Sequence, residues 1–484
     1  MPEATARRVA RNSALRAGGY LLGAGLLFVV VVVIARYLGV EGFGHYSFVM
    51  AVAGIFQLLA DMGVRNIVIR DLAVAPELVR DRLAVARTLL VILSLLSLLG
   101  IAAVAWAIDV PLEVRQSMLL AGVAVMTTFY ALGYSAVLRA FEHMDQDILG
   151  FVVHKALLLG LVWGVSRTTW GLRGVFVATA VANLGLYLYY RTLVSRRHGV
   201  TRLSRDLAAA WALMAESFPL GLAEVIRRLA WQVDRLVLTA LAGPVAVGLF
   251  STAYKFLEAA KPLADNLTLP LFPLLSRLAR ESRTAAFDTY ARGLRIFYAL
   301  AVPAAVVLGV LAERIVTVLF GAAYRPAATA LVFMAPVVVL MLPTSLYGFL
   351  FTALGVQKRY TACVTAALVT NLSLDLLLIP RWSYRGAAVA TLAGESALFL
   401  AGAFVLHRLG AGWSAFTLLW RPVLAGAALV LACVLVRGSH WSLLAAGTAA
   451  GLAAYVLVLV LLGAFTRGEL AQAAQALRAR DTRV

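Results

Sequence analysis

Long uncharged stretches alternate with short charged ones along the whole chain. The first, residues 17–35, carries no charge between Arg16 and Arg36. About 20 apolar residues, rising about 1.5 Å each as a helix, cross a hydrocarbon core of about 30 Å. The pattern predicts fourteen such spans, at 14–37, 43–64, 88–108, 117–138, 148–166, 172–192, 217–241, 246–272, 294–318, 327–353, 360–379, 385–406, 417–436 and 441–464. The expected fold is an all-α polytopic membrane protein. Arg7, Arg8, Arg11 and Arg16 precede the first stretch, which is longer than a signal-peptide core and has no small-x-small cleavage site after it. It reads as a spanning helix that starts on the cytoplasmic side.

Composition narrows the class. Of 484 residues, 62% are hydrophobic and 14% charged, against about 25% charged in soluble domains. Mean hydropathy is +0.89. A soluble enzyme, a secreted disulfide scaffold and a disordered tail are excluded. Cys363 and Cys433 both lie in apolar runs, so neither a disulfide framework nor a cysteine metal site is readable.

The net charge of +19 would suggest nucleic acid in a soluble protein. Here topology absorbs it. With both termini inside, the inner segments hold 28 Lys and Arg and the outer ones 9, as the positive-inside rule requires. No outer loop exceeds about fifteen residues, and the inner connections 65–87, 193–216 and 273–293 read as amphipathic surface helices. The work falls to the spanning helices.

An internal repeat is visible. Residues 171–183 (GLRGVFVATAVAN) resemble 383–395 (SYRGAAVATLAGE) at an offset of 212, and Gly44-His45-Tyr46-Ser47 resembles Gly248-Leu249-Phe250-Ser251 at 204. Each offset covers six spans, an even number. Two six-helix bundles of the same orientation are therefore expected, related by a pseudo-two-fold axis along the membrane normal. The division is 1–192, a linker at 193–216, 217–408, and two extra spans with a tail at 409–484.

Charges at membrane depth are functional candidates. The seventh span carries Glu224, Arg227, Arg228, Asp234 and Arg235, and the eighth carries Lys255, Glu258, Lys261 and Asp265. Arg227, Arg228 and Lys255 fall about 15 Å into the bilayer. Pro262 would permit a kink. Spacing also allows internal pairs: Glu224–Arg228 and Lys261–Asp265 at i,i+4, and Lys255–Glu258 at i,i+3. Asp234 and Arg235 lie toward the outer end, where water reaches. Arg16 and Lys155 would add positive field to an inward-facing cavity. Asp61 has Arg65 as an alternative partner. Asp375, sharing a face with Asn371, and mid-span Glu395 are candidate proton or cation sites. No P-loop, metal cluster or nucleophile elbow occurs, so no cofactor and no ATP hydrolysis are expected.

Residues 36–48 (RYLGVEGFGHYSF), 56–73 (FQLLADMGVRNIVIRDLA), 231–258 (WQVDRLVLTALAGPVAVGLFSTAYKFLE) and 374–391 (LDLLLIPRWSYRGAAVAT) resemble bacterial polysaccharide-biosynthesis flippases. These are the O-antigen-type members of the polysaccharide transport family, within the MATE-like MOP exporter superfamily. The resemblance covers most of 10–410. It implies alternating access, and transfer of an undecaprenyl-pyrophosphate-linked oligosaccharide to the outer leaflet of the bacterial inner membrane for lipopolysaccharide or other surface polysaccharide. A monomer working beside a polymerase and glycosyltransferases is expected, with no nucleic-acid partner. The sugar requires a wet cavity, and the diphosphate requires fixed cations. Arg227, Arg228, Lys255, Lys261, Arg16 and Lys155 are the candidates. Glu224, Glu258, Asp375, Asp61 and Glu395 are candidate coupling or ion-pair carboxylates, with proton or sodium coupling open. Lipid II flippases of the same superfamily have two extra C-terminal helices, which the last two spans resemble. A lipid II flippase is thus one alternative. A multidrug exporter using Glu224, Glu258 and Asp375 is another. A membrane-embedded polymerase or ligase is disfavoured by the short outer loops.

Overall fold

The computed structural model describes residues 3–199, 202–268 and 271–464; side chains at 3–17, 73, 76, 220, 223–228, 230, 263 and 266 lie outside the description. Among the described residues the chain is helical, with no strands. The helices are α1 (Glu3–Asp61), α2 (Val64–Val74), α3 (Val79–Ala107), α4 (Leu112–Ala140), α5 (Met144–Val165), α6 (Gly171–His198), α7 (Leu207–Thr268) and α8 (Leu271–Glu281). They continue as α9 (Arg283–Val310), α10 (Ala312–Phe320), α11 (Ala327–Ala353), α12 (Gln357–Trp382), α13 (Tyr384–Leu406), α14 (Ser414–Thr417), α15 (Trp420–Val436) and α16 (Trp441–Leu461).

Twelve stretches among the described residues are long and apolar enough to cross a membrane. One, Gly18–Asp61, has 44 residues, about 66 Å of helix and twice a hydrocarbon core. It is two spans. The chain leaves the helix at Gly39 (φ 68°, ψ −177°), and α7 does the same at Gly243 (φ 77°, ψ 179°). Only glycine enters that region readily. Side chains trace the reversal in α1. Tyr20 packs on Phe151 at the start of α5, the Tyr37 hydroxyl bonds Thr168 and Gly171 between α5 and α6, and Tyr46 stacks on Phe176 of α6. The chain runs one way beside α5 and returns beside α6. Counting α1 and α7 twice recovers the fourteen spans.

The repeat is also written in the backbone. Left-handed residues recur at Gly39 and Gly243, Glu142 and Gly355, Gly171 and Ser383, and Gly199 and Gly410. Each pair is 204 to 213 positions apart. Both members mark the same turn between spans.

The chain forms two compact units, Met1–Ser251 and Thr252–Val484. In the first, α4 packs along α6 and α3, and α1 along α5. Its tightest approach joins the two repeats. A Cβ on Gly44 would sit 1.8 Å from the Pro244 carbonyl oxygen, and one on Gly248 would sit 2.1 Å from that of Val40. The glycines at these repeated positions therefore let two backbones touch. The start of α7 meets the turn after α1 as closely, since a Cβ on Gly221 would lie 2.4 Å from the Met62 carbonyl carbon. Arg70 of α2 bonds both Asp71 and Glu216 there. These two carboxylates, Asp71 first, hold its guanidinium above the ordinary range.

In the second unit α11 packs against α9 and α13, and α12 along α13. Tyr290, Tyr298, Tyr347 and Phe351 are fully buried. The last two spans are anchored rather than appended. Ala425, Leu429 and Cys433 of α15 and Tyr455 and Leu459 of α16 bury against Val302 of α9. The Tyr455 hydroxyl donates to the Ala299 carbonyl at 3.1 Å, and Tyr298 donates to Ala415 at 2.7 Å.

α7 continues through Pro262 to Thr268. Two local expectations change. The ninth predicted span divides at Leu311 into α9 and the short α10. Asp234 and Arg235 are buried, each 5% exposed, because neighbouring helices cover them and water does not.

Gly44→Val and Gly248→Val should each destabilise the purified protein by about 2 kcal/mol or more, because backbone atoms cannot yield as side chains do. Gly25→Ala, with nothing within 4 Å of the new Cβ, should shift thermal unfolding by less than about 1 kcal/mol. Equal melting curves for all three would contradict the close approach.

Candidate functional site

Each unit holds a polar core inside its spans. In the first, Asn183 of α6 is the hub. Its Oδ1 faces His154 Nε2 of α5 at 2.8 Å, and its Nδ2 donates to Thr128 Oγ1 at 2.8 Å and to the Ala124 carbonyl of α4 at 2.9 Å. Thr128 in turn donates to the Ala124 carbonyl at 2.8 Å. His154 and Asn183 are both buried. Without water, each polar atom needs such a partner.

Nearer one end of the same helices, Asp147 of α5 accepts from Ser135 Oγ and from Arg139 Nε of α4, the latter at 2.8 Å, while its carbonyl accepts from Tyr190 of α6. Sequence reasoning missed Asn183, Asp147 and Arg139. The signal that points to Asn183 is its place at the end of the repeated motif.

Lys155 follows His154 in α5. It is half-buried, with Nζ 5.3 Å from the centre of the Phe151 ring. Phe151 fills the space over Gly23 of α1, where a Cβ would lie 2.2 Å from the ring. Lys155 makes no ion pair among the described residues. A cation held on a ring face is available to an anionic ligand.

In the second unit, α7 carries two ion pairs at the spacings read from sequence. Lys255 Nζ bonds Glu258 and Lys261 Nζ bonds Asp265. Lys261 also lies 3.4 Å from Ser345 Oγ of α11. The neighbouring Thr344 Oγ1 is hydrogen-bonded to Glu395 Oε1 of α13 and lies 3.1 Å from the Met341 carbonyl oxygen. Lys261 and Glu395, distant in sequence, thus meet across Thr344-Ser345, which no motif marked.

The other expected residues are dispersed. Asp61 pairs with Arg65 at 3.7 Å, its local alternative. Asp375 is fully buried in α12. The side chains of Arg16, Glu224, Arg227 and Arg228 lie outside the described residues. No group of three His, Cys, Asp or Glu suited to a metal occurs among the described residues.

A fold of long apolar helices with buried polar cores and lysines inside the spans is that of a multipass membrane protein. The chain belongs to the family described as polysaccharide biosynthesis protein, whose model matches residues 9–279. A second family model, lipid II flippase MurJ, matches residues 264–462. Among solved structures, MurJ in an inward closed conformation aligns with a TM-score of 0.76 at 12% identity, over 93% of this chain and 99% of that one. An inward-facing multidrug resistance MATE transporter aligns at 0.63 and 15%, over 83% and 98%. A MOP transporter from Pyrococcus furiosus, described as having a binding pocket of reversed polarity, aligns at 0.58 and 15%, over 83% and 96%. No curated protein matches by sequence.

Asp147→Ala should strand the partly buried Arg139 and cost about 3 kcal/mol of stability. Adding Arg139→Ala should recover part of it. A double-mutant cycle on thermal unfolding reads the coupling, and additive losses would deny the pair.

Proposed function

We propose that the protein is a flippase for a lipid-linked oligosaccharide. It moves an undecaprenyl-pyrophosphate-linked sugar from the inner to the outer leaflet of the bacterial cytoplasmic membrane, for O-antigen-type surface polysaccharide. The observation that carries the reading is the polysaccharide-biosynthesis family match over residues 9–279, joined to lysines held inside spanning helices. The 28:9 division of basic residues supports cytoplasmic termini.

The chemistry is charge transfer between leaflets by exchange of partners. A diphosphate entering a low-dielectric site needs cations ready to accept it. Lys155 offers one on an aromatic face. Lys255 offers another by releasing Glu258, and Arg227 and Arg228 stand within about a turn of the same depth in sequence. The sugar is accommodated by hydroxyls and amides, and the polyprenyl tail remains in lipid. These cations disfavour an organic-cation exporter, whose pocket requires uncompensated acids and aromatics.

A second reading, transport of lipid II, is favoured by a specific observation. The MurJ family model spans residues 264–462, which include α15 and α16, and these two helices bury against α9. Both readings require a polyprenyl diphosphate and differ only in the sugar.

In proteoliposomes, the wild-type chain should expose a polyprenyl-diphosphate oligosaccharide to an external glycosidase or oxidant faster than empty vesicles do. Lys155→Ala and Lys255→Ala should each slow this about tenfold, the value of one charge-assisted hydrogen bond. Unchanged rates with Lys155, Lys255, Arg227 and Arg228 all neutralised would remove the diphosphate role. Competition between the oligosaccharide lipid and lipid II separates the two substrates.

A further inference from the structure

The internal repeat aligns Asn183 with Glu395, 212 residues apart, and the structure gives both the same post. Each lies in the middle of its helix, α6 or α13. Each bonds the hydroxyl of a threonine on the helix packed beside it, Thr128 of α4 or Thr344 of α11. Each of those hydroxyls reaches back to a carbonyl of its own helix, Ala124 or Met341.

A threonine hydroxyl has one proton to give. In a helix it is ordinarily given to the carbonyl a turn earlier. In the first unit this is fully consistent: Thr128 donates to Ala124 and Asn183 Nδ2 donates to Thr128. The hub is a donor there. In the second unit Thr344 has the same two neighbours: its one proton goes to Glu395 when that group is a carboxylate, or to the Met341 carbonyl when a protonated Glu395 donates to it, and the second arrangement is the one that repeats the first unit.

Charge leads to the same state. The described ionisable groups here include Lys255 with Glu258, Lys261 with Asp265, Asp375 and Glu395. With Lys261 held by Asp265, an ionised Glu395 would add a carboxylate charge at membrane depth, a costly arrangement. The groups packed around it are Thr344, Ser345 and Tyr347 from α11 and Asn371 from α12, whose Cβ lies 2.8 Å from where a Cβ on Gly394 would be. Asp375 is buried one turn further along α12, and Lys261 of α7 acts on Glu395 electrostatically. Lys261 is the cation among them, and Asp265 already holds it.

We infer that Glu395 is a proton-binding site, occupied in this conformation, whose carboxylic acid donates to Thr344 and through it to the Met341 carbonyl. Proton release leaves a carboxylate, and the proton goes to water. Lys261, already 3.4 Å from Ser345 Oγ, then turns from Asp265 to Glu395. Asp265 is half exposed, so its carboxylate is left to solvent. The proton and the Lys261 ammonium thus compete for one carboxyl, which couples protonation to the position of α7 against α11 and α13. The proton site stands on helix geometry in the second unit; only its use in driving transport rests on the flippase reading.

The test is infrared spectroscopy of the full-length protein in nanodiscs, titrated from acid to alkaline pH. The difference between wild type and Glu395→Gln should contain a carboxylic-acid carbonyl band at neutral pH that shifts in heavy water. In Thr344→Val the band should persist but move to the position of a more weakly bonded acid. In Lys261→Met it should survive to more alkaline pH, because the competing cation is gone. Glu395→Gln copies the donor of the protonated state and should keep the wild-type melting temperature. A wild-type-minus-Gln difference with no acid band at neutral pH overturns the site. So does a band that Lys261→Met leaves unchanged, because no competition then exists. In proteoliposomes, flipping by Glu395→Gln should lose the response to an imposed pH gradient that wild type displays. A wild type that flips without such a response overturns the coupling and leaves the infrared result standing. A wild type that flips no lipid-linked sugar overturns the flippase reading alone.

Discussion

A hydrocarbon surrounding offers no water to an unpaired amide, hydroxyl or carboxyl, and the arrangement of these helices follows from that constraint. The backbone answers it by being helical throughout the described spans. Side chains must answer it by reaching another helix. Asn183 joins α4, α5 and α6 because each of its polar atoms finds a partner on a neighbour. Asp147 does the same near one end of those helices. Packing between lipid-facing helices gains little from hydrophobic burial, so such hubs, with close glycine contacts, fix which helices are neighbours.

The repeat gives this constraint a functional edge. Two copies of one helical plan place a hub residue at the same position, and the copies have diverged from amide to carboxyl. An amide is always neutral and always able to donate. A carboxyl does so only with a proton bound. The second unit has therefore acquired a condition where the first has a fixed bond, and Lys261 stands beside it as the alternative neutraliser.

Substrate handling follows a related logic. Cations inside a membrane protein persist when paired or held against aromatic faces, and both devices occur here: Lys255 with Glu258, and Lys155 over Phe151. Either arrangement compensates a cation that would otherwise be costly at membrane depth.

The sequence alone was enough for the membrane class, the fourteen spans and the six-span repeat, because lipid selects on composition over about 20 residues and that is local. Short-range ion pairs were equally legible: Lys255–Glu258, Lys261–Asp265 and Asp61–Arg65 follow from helical spacing. What only the tertiary structure decided involves separate helices. Asp234 and Arg235 are buried rather than wet. Glu395 meets Lys261 through Thr344 and Ser345, four residues from three helices. No spacing rule relates residues 261, 344 and 395; their meeting depends on how α7, α11 and α13 pack, and packing is settled by side chains that touch only once the chain has folded.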